Sequence, residues 1–153
     1  MVKNALEACD IKCGLIGTIE TIIGNEKIPA VNTTPESFVV QETFAKMVEA
    51  GITHVVMEVS SQAIKYDRTT GIKFEGAIFT NISNDHVSDK EHPSYEDYLG
   101  TKLRIFDQAK VAAVNLAADD VDKILAAASK CEKVVTYAAT REIQDELIAK
   151  PSA

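Results

Sequence analysis

Short apolar segments alternate with amphipathic segments along almost the whole chain, and this alternation is the feature that most restricts its fold. The apolar segments 13–19, 54–59, 76–82, 111–116 and 133–137 predict strands, and the segments 2–9, 35–50, 95–109 and 119–128 predict helices. The connections between them are short. A β-α-β-α order with short connections favours an α/β fold with a mostly parallel, doubly wound sheet flanked by helices.

Helix start signals support these assignments. Thr34 is a good N-cap and Pro35 suits a first helical position. Ser94 is a second N-cap, with Asp97 three residues later as its capping partner. Asp119 is expected to cap the helix that ends at 128. The segment 54–59 is continuous in Val and Met, which predicts a sheet covered on both faces.

Composition excludes several classes of function. The 153 residues suffice for one domain, and the net charge of -7 without a basic cluster argues against nucleic-acid binding. No apolar run approaches the ~20 residues of a membrane-spanning helix, and no signal peptide is visible. Cys9, Cys13 and Cys131 then predict reduced thiols in a cytoplasmic protein. For Cys9 and Cys13, buried small residues are favoured over a metal or redox pair.

Polar, metal-capable side chains follow two of the predicted strands. Glu58 ends one strand and is followed by Ser60, and Asp85 and His86 follow the next strand. A buried carboxylate at Glu58 needs a metal ion, an arginine or a helix N-terminus as its partner. An imidazole and carboxylates at neighbouring strand ends suit Mg²⁺ or Mn²⁺ holding a phosphate. An ordinary alternative, in which Glu58 caps a helix and His86 bonds to the backbone, stays equally open.

Lys102 lies within the apolar stripe of the predicted helix 95–109. The stripe consists of Tyr95, Tyr98, Leu99, Leu103 and Phe106. One interpretation is a packed stem with its ammonium in water, which is the commoner arrangement for lysine. The other is a functional amine, because desolvation lowers a lysine pKa and a neutral amine can react with carbon dioxide to form an anionic carbamate.

The segment 32–35 combines an amide, two hydroxyls and a helix N-terminus. Asn32, Thr33 and Thr34 therefore form a candidate anion or phosphate site, with a plain capped helix as the alternative. Arg68 could pair with a substrate carboxylate or phosphate, although a solvated loop arginine is the more ordinary interpretation. The segment 14–18 has no lysine and does not fit a phosphate-binding P-loop, so its glycines are interpreted as strand glycines.

Five sequence blocks, in order and with fitting spacing, resemble the central domain of the Mur ligases over roughly residues 2–138. The blocks are Gly-Leu-Ile-Gly-Thr-Ile (14–19), Asn-Thr-Thr-Pro-Glu-Ser (32–37), Met-Glu-Val-Ser-Ser (57–61), Phe-Thr-Asn-Ile-Ser (79–83) with Asp85-His86, and Glu-Asp-Tyr (96–98) leading to Lys-Leu-Arg-Ile-Phe (102–106). The resemblance implies the α/β fold of that domain, which is similar to P-loop NTPases.

The resemblance also implies a reaction and a substrate site. It implies part of an ATP-dependent ligase that adds a third residue, L-lysine or meso-diaminopimelate, to UDP-N-acetylmuramoyl-L-alanyl-D-glutamate in peptidoglycan synthesis. The reaction would proceed through an acyl phosphate. Asn32, Thr33, Thr34, Ser60 and Arg68 match positions that hold the UDP-N-acetylmuramoyl-dipeptide.

A metal and nucleotide site is implied by the same resemblance. Glu58 and His86 match ligands of Mg²⁺ near the ATP phosphates, and Lys102 matches a lysine carried as a carbamate. All three are expected to be catalytic and to hold the metal. Asn81 and Asp85 are the expected contacts to the nucleotide.

Departures from the family pattern set further expectations. The family's P-loop should precede the first helix, so the chain is expected to be a fragment: a partial central domain over 1–138 and a weakly matched helix and tail over 139–153. Alone it is expected to be inactive and to self-associate through an exposed sheet edge. The alternative is a non-catalytic remnant that binds a nucleotide-sugar or a protein partner. The segment 87–93 is longer than in relatives, so no role is assigned to His92.

Overall fold

The computed structural model describes residues 1–83 and 92–138, and it forms two compact units, Met1–Thr70 and Gly71–Ala153. The first unit contains helix α1 (Val2–Glu7), strands β1 (Cys13–Ile16), β2 (Glu20–Ile23) and β3 (Glu26–Pro29), helix α2 (Ser37–Glu49), strand β4 (His54–Met57) and helix α3 (Ser61–Lys65). The second contains β5 (Phe74–Phe79), α4 (Tyr95–Leu103), a 3₁₀ helix (Arg104–Gln108), β6 (Ala109–Asn115), α5 (Val121–Ala128) and β7 (Lys133–Tyr137).

The α/β class is confirmed, with parallel pairing in both units. In the first unit the sheet order is β3-β2-β1-β4, and β1 and β4 are parallel with Cys13 opposite His54. In the second, β5, β6 and β7 are parallel neighbours in chain order, connected by α4 and α5. Each connection is a strand-helix-strand unit, in which the carboxyl ends of parallel neighbours meet at one edge of the sheet.

A β-hairpin replaces the single strand expected over residues 13–19. Strand β1 ends at Ile16, and β2 and β3 follow in antiparallel pairing. Ile23 pairs with Glu26, so Gly24 and Asn25 form a two-residue turn. Gly24 has a φ of 59°, which glycine adopts without steric cost at the first turn position. The interpretation of this region as one strand was therefore wrong beyond Ile16.

Each unit has its own hydrophobic core. Met47 of α2 packs over β1, where a Cβ on Gly14 would lie 2.7 Å from its Sδ and Cε atoms. Among the described residues of the first unit, the buried Ile16, Ile23, Met47 and Ile52 form one apolar cluster. The core of the second consists of twelve buried residues, among them Phe79, Leu99, Phe106, Val114 and Ile124. Cys13 and Cys131 are buried, whereas Cys9 is exposed, so the expectation of burial was wrong for Cys9.

Several strands keep exposed apolar side chains among the described residues. In β5, Ala77 and Phe79 are buried while Ile78 between them is 53% exposed, and β7 is exposed along its length. In β4, Val55 is also exposed. The segment 54–59 was predicted to be covered on both faces of its sheet because it is continuously apolar. Within the described part of the chain it is not covered in this way, since Val55 is exposed.

Helix start signals were correct at one site and wrong at two. The Ser94 side chain accepts a hydrogen bond from the Asp97 N–H at 3.1 Å, which confirms that N-cap. Helix α2 instead starts after Glu36, because the Thr34 side chain is used elsewhere. Asp120, at a φ of 53°, precedes α5 in place of Asp119, and its carboxylate accepts a bond from the Tyr95 hydroxyl at 2.7 Å. Among the described residues, no helix combines the length and apolar character needed to cross a membrane.

Candidate functional site

Glu58 is positioned at the carboxyl ends of β1 and β4, the edge where open α/β sheets bind ligands. Its N–H donates to the Ile16 carbonyl at 2.8 Å and so extends the parallel ladder by one step. Its carboxylate Oε2 accepts bonds from the backbone N–H of Thr18 at 2.7 Å and from the Thr18 hydroxyl at 2.6 Å. Two donors from one residue thus compensate the charge of Glu58.

Gly17 and Thr18 are the site residues that sequence reasoning missed, since residues 14–18 were interpreted as strand glycines. Strand β1 ends at Ile16, so Gly17 lies in the loop that holds Glu58. A Cβ on Gly17 would lie 3.3 Å from the Glu58 Cδ and Oε2 atoms, tighter than most contacts. The available signal was a Gly-Thr pair directly after an apolar strand, because glycine permits close approach and threonine supplies a hydroxyl.

Thr34 connects the loop after β3 to the loop after β4. It is fully buried, its hydroxyl donates to the Glu58 carbonyl at 2.9 Å and accepts from the Ser60 N–H at 3.0 Å. The Thr33 hydroxyl lies 3.2 Å from that of Thr18. Asn32 is exposed beside them. The residues expected to hold an anion are therefore brought to the same strand ends as Glu58.

Ser60 is the N-cap of helix α3, and its hydroxyl accepts a hydrogen bond from the Ala63 N–H at 3.2 Å. This role belongs to Ser60 and not to Glu58, so the alternative in which Glu58 caps a helix was wrong. The short helix α3 was not anticipated from the sequence. Its start fixes the backbone around Ser60 and keeps that residue beside Thr34.

Arg68 is anchored in the first unit instead of being a solvated loop residue. Its side chain is 16% exposed, its Nη1 donates to the Thr34 carbonyl at 3.1 Å, and its Nη2 pairs with the Glu36 carboxylate at 2.5 Å. The guanidinium lies 5.9 Å from the centre of the Tyr66 ring. Its Nε is buried without a hydrogen-bond acceptor among the described residues. The guanidinium is therefore held in one orientation, and planar carboxylates such as that of Glu36 are its natural partners.

Lys102 lies in the second unit, between two aromatic rings. Its Nζ is 5.2 Å from the centre of the Phe79 ring and 5.3 Å from that of Tyr98, and it donates to the Asn81 carbonyl at 3.0 Å. Burial lowers the pKa of Lys102. Within the described residues, the lysine on the apolar stripe is therefore held by backbone and rings rather than by a carboxylate, and Asn81 contributes its backbone carbonyl.

The buried His92 and the partly exposed Asp97 form a second paired feature next to Tyr98. His92 has no exposed surface, and its Nδ1 lies 2.7 Å from the Asp97 Oδ2. The His92 ring centre lies 5.0 Å from that of Tyr98. No role had been assigned to His92 from the sequence, because the local alignment with relatives shifts there. The signal was the Ser94-x-x-Asp97 capping pattern, which places Asp97 back toward the residues before the helix.

The predicted metal site is only partly within the described residues. Asp85 and His86 lie outside them. Among the described residues, no group of three His, Cys, Asp or Glu side chains could hold a metal ion. Glu58 supplies a hard oxygen ligand that suits Mg²⁺, whereas the Lys102 ammonium could ligate a cation only after conversion to a carbamate. The metal and nucleotide assignments stay predictions.

The fold and these residues define a class of protein, and a comparison with known families agrees. The profile described as Mur ligase middle domain matches residues 1–151, and the chain belongs to that family. The expected resemblance is thereby confirmed.

Individual members of the family are similar to this chain over most of its length. The chain is 44% identical over 116 residues to the UDP-N-acetylmuramoyl-L-alanyl-D-glutamate–2,6-diaminopimelate ligase of Clostridium perfringens, a match covering 76% of this chain and 24% of the relative. It is 43% identical over 137 residues to the ligase of the same name from Caldanaerobacter subterraneus, covering 90% of this chain and 28% of that one. The UDP-N-acetylmuramyl-tripeptide synthetase of Latilactobacillus sakei is 38% identical over 126 residues, covering 80% and 25%.

Solved structures show the same similarity. A structure of a UDP-N-acetylmuramoyl-L-alanyl-D-glutamate–2,6-diaminopimelate ligase matches with a TM-score of 0.80 and 26% identity, covering 92% of this chain and 29% of that one. The chain thus spans about a quarter of the length of the curated relatives it matches.

Proposed function

We propose that this chain supplies the nucleotide-peptide half-site and the reactive lysine of an ATP-dependent ligase that extends UDP-N-acetylmuramoyl-L-alanyl-D-glutamate by one diamino acid. The observation that carries the proposal is the connected set Thr18–Glu58–Thr34–Arg68 at the ends of β1 and β4. The names of the relatives support the substrate and favour 2,6-diaminopimelate as the added residue.

Arg68 is assigned to a carboxylate of the peptide. Its guanidinium is oriented by the Thr34 carbonyl and by Glu36. The neighbouring polar groups of Asn32, Thr33 and Ser60 are assigned to the rest of the nucleotide-peptide. These groups would hold the substrate in one register and so prepare its D-glutamyl carboxylate for reaction.

Glu58, His86 and Lys102 are assigned to the cation and Asn81 and Asp85 to the nucleotide. ATP and Mg²⁺ would supply the activation of the D-glutamyl carboxylate as an acyl phosphate and the neutralisation of phosphate charge. The contribution of the protein is to orient the Glu58 carboxylate, through the two Thr18 donors, and to keep Lys102 desolvated between its rings. A desolvated amine is more often neutral, and only the neutral amine reacts with carbon dioxide. We place the reaction in the cytoplasm, where free thiols such as those of this chain persist.

Binding calorimetry with UDP-N-acetylmuramoyl-L-alanyl-D-glutamate tests the proposal. We expect the chain to bind this compound and Arg68→Ala to weaken binding by roughly tenfold or more, because a charge-assisted hydrogen bond contributes about 1.5–3 kcal/mol. Lys46→Ala is the matched control, since Lys46 also pairs with a glutamate, Glu42, but on the exposed surface of α2. Absence of binding by a folded sample, or equal losses in both variants, would contradict the proposal.

A further inference from the structure

Lys102 is enclosed by a set of groups that we call the Lys102 cage: the Phe79 ring, the Tyr98 ring and hydroxyl, and the Asn81 carbonyl. Phe79 and Asn81 come from β5 and the residues just after it, and Tyr98 precedes Lys102 by one turn of α4. The rings are 4% exposed, so the cage has rigid walls. Its two hydrogen-bonding groups differ in chemistry, because a carbonyl can only accept whereas a hydroxyl can accept or donate.

The distances give the two polar groups different functions. The Lys102 Nζ lies 3.0 Å from the Asn81 carbonyl, which is an ordinary hydrogen bond, and 3.5 Å from the Tyr98 hydroxyl, which is a long one. The Asn81 contact thus sets the position of the nitrogen. The Tyr98 hydroxyl lies farther from the nitrogen. This longer distance leaves room for a hydrogen bond between the hydroxyl and an atom attached to the Lys102 nitrogen.

The Tyr98 ring packs against the ring of His92, and His92 is in turn hydrogen-bonded to Asp97. The ring centres of Tyr98 and His92 are 5.0 Å apart with planes at 45°, and His92 is fully buried and bonded to Asp97 at 2.7 Å. Asp97 belongs to the first turn of α4, which Ser94 caps. The hydroxyl of Tyr98 is therefore aimed by packing and not by a flexible surface contact.

We propose that Tyr98 is a positioning residue for a carbamate on Lys102, with its hydroxyl donating a hydrogen bond to a carbamate oxygen. This inference rests on the proposed function, which assigns the carbamate. In the reaction the neutral Lys102 nitrogen bonds to the carbon of dissolved carbon dioxide, one proton leaves the nitrogen for solvent, and the product carries one negative charge. One N–H remains, and it keeps the bond to the Asn81 carbonyl. The Tyr98 hydroxyl changes from acceptor to donor, which a backbone carbonyl could not do.

The Lys102 cage suits both the unmodified lysine and its carbamate. An ammonium has three donors and gains from carbonyls and aromatic faces, so the cage accepts the unmodified lysine. A carbamate has one donor and two acceptor oxygens, so it needs a donor within reach, and Tyr98 is the hydroxyl that the described contacts place there. Carboxylate-type oxygens that accept a hydroxyl bond are stabilised more than neutral acceptors.

Carbon-13 NMR of the chain equilibrated with labelled bicarbonate tests the inference through the carbamate resonance. The key variant is Tyr98→Phe, which keeps the ring packing and removes only the hydroxyl. Tyr95→Phe is the matched control on the same helix, because the Tyr95 hydroxyl bonds to Asp120 instead. Lys102→Arg gives the spectrum without a carbamate.

We expect Tyr98→Phe to raise the carbon dioxide concentration needed for half-occupancy by about tenfold, and Tyr95→Phe to change it by less than twofold. Equal occupancy in Tyr98→Phe and the unaltered chain would overturn the inference, as would equal losses in both tyrosine variants. Absence of a carbamate in an unaltered chain that binds the nucleotide-peptide would overturn the inference and leave the substrate site of the proposed function standing.

A measurement on the unaltered chain covers the case in which Tyr98→Phe does not fold. With ring-labelled tyrosine, the Cζ resonance of Tyr98 should shift when carbon dioxide is added, because its hydroxyl changes from acceptor to donor. The Cζ resonance of Tyr95 should stay in place. A Tyr98 resonance that does not respond while the carbamate forms would contradict the proposed hydrogen bond.

Discussion

Glu58 is held in place at a strand end because Thr18 supplies two hydrogen-bond donors to one of its oxygens. The contact is possible because residue 17 is glycine, whose missing Cβ leaves room for the carboxyl group. Two neighbouring residues of the β1–β2 loop thus have separate functions: one provides space and the other provides hydrogen bonds.

At this scale we predict that Gly17→Ala loosens the bond between the Thr18 N–H and Glu58. The added methyl group would force the carboxyl to move by a few tenths of an ångström, at a cost of about 1 kcal/mol. Hydrogen exchange of the Thr18 amide should accelerate about fivefold. Gly100→Ala is the control, because a Cβ there meets no neighbouring atom within 4 Å. Unchanged Thr18 exchange in Gly17→Ala would refute this account of Glu58.

Helix α2 packs against the rest of the first unit through only a few buried side chains among the described residues. Val40 and Met47 are its buried residues, and Met47 fills the space above Gly14. Phe38 and Val48 of the same helix are exposed. The stability of the unit should therefore depend strongly on Met47.

We predict that Met47→Ala lowers the free energy of unfolding of the first unit by about 2–4 kcal/mol, since it empties a buried site in a small core. Val48→Ala, at a position that is 72% exposed, should change it by less than about 0.5 kcal/mol. Urea unfolding followed by circular dichroism gives both values. Similar effects of the two substitutions would show that α2 does not pack as described.

Elements were predictable from the sequence where one local signal dominated, and they were missed where two signals competed. Helix α4 was found because Ser94 and the apolar stripe agree, and the stripe also located Lys102 correctly between buried side chains. The hairpin was missed because the apolar run through Ile19 hid the Gly24-Asn25 turn, itself a standard hairpin signal.

Hydrogen-bond partners that are far apart in the sequence could not be predicted from local sequence patterns. Thr34 has the sequence of a helix cap, yet its hydroxyl bridges residues 24 and 26 positions away. The pairing of Glu58 with Thr18 likewise spans 40 positions. The resemblance to the Mur ligases identified most residues of the first-unit site, but it could not show which of them hold one another. Asp85, His86 and the segment 139–153 lie outside the described residues, and their assignments stay predictions.

At the scale of the whole molecule, the chain has two cores of unequal size. Among the described residues, the apolar cluster of the first unit contains four buried residues and that of the second contains twelve. A larger apolar core contributes more stabilisation. Each unit also contains one buried thiol, Cys13 in the first and Cys131 in the second.

We predict that Cys13 becomes reactive at a lower urea concentration than Cys131, because the smaller core should unfold first. Burial raises the pKa of both thiols, which keeps them protonated and unreactive in the folded units. A Cys9→Ser variant removes the exposed thiol from the experiment. Alkylation at increasing urea concentration, read by peptide mass spectrometry, gives the order, and release of Cys131 before Cys13 would contradict it.

We propose that Arg68 of the first unit holds a carboxylate of the nucleotide-peptide. The most direct test is a calorimetric cycle with two ligands, UDP-N-acetylmuramoyl-L-alanine and the same compound extended by D-glutamate, and two proteins, the unaltered chain and Arg68→Ala. We predict that D-glutamate tightens binding to the unaltered chain by roughly tenfold and that this gain disappears in Arg68→Ala. An equal gain from D-glutamate in both proteins would show that Arg68 does not recognise the peptide carboxylate.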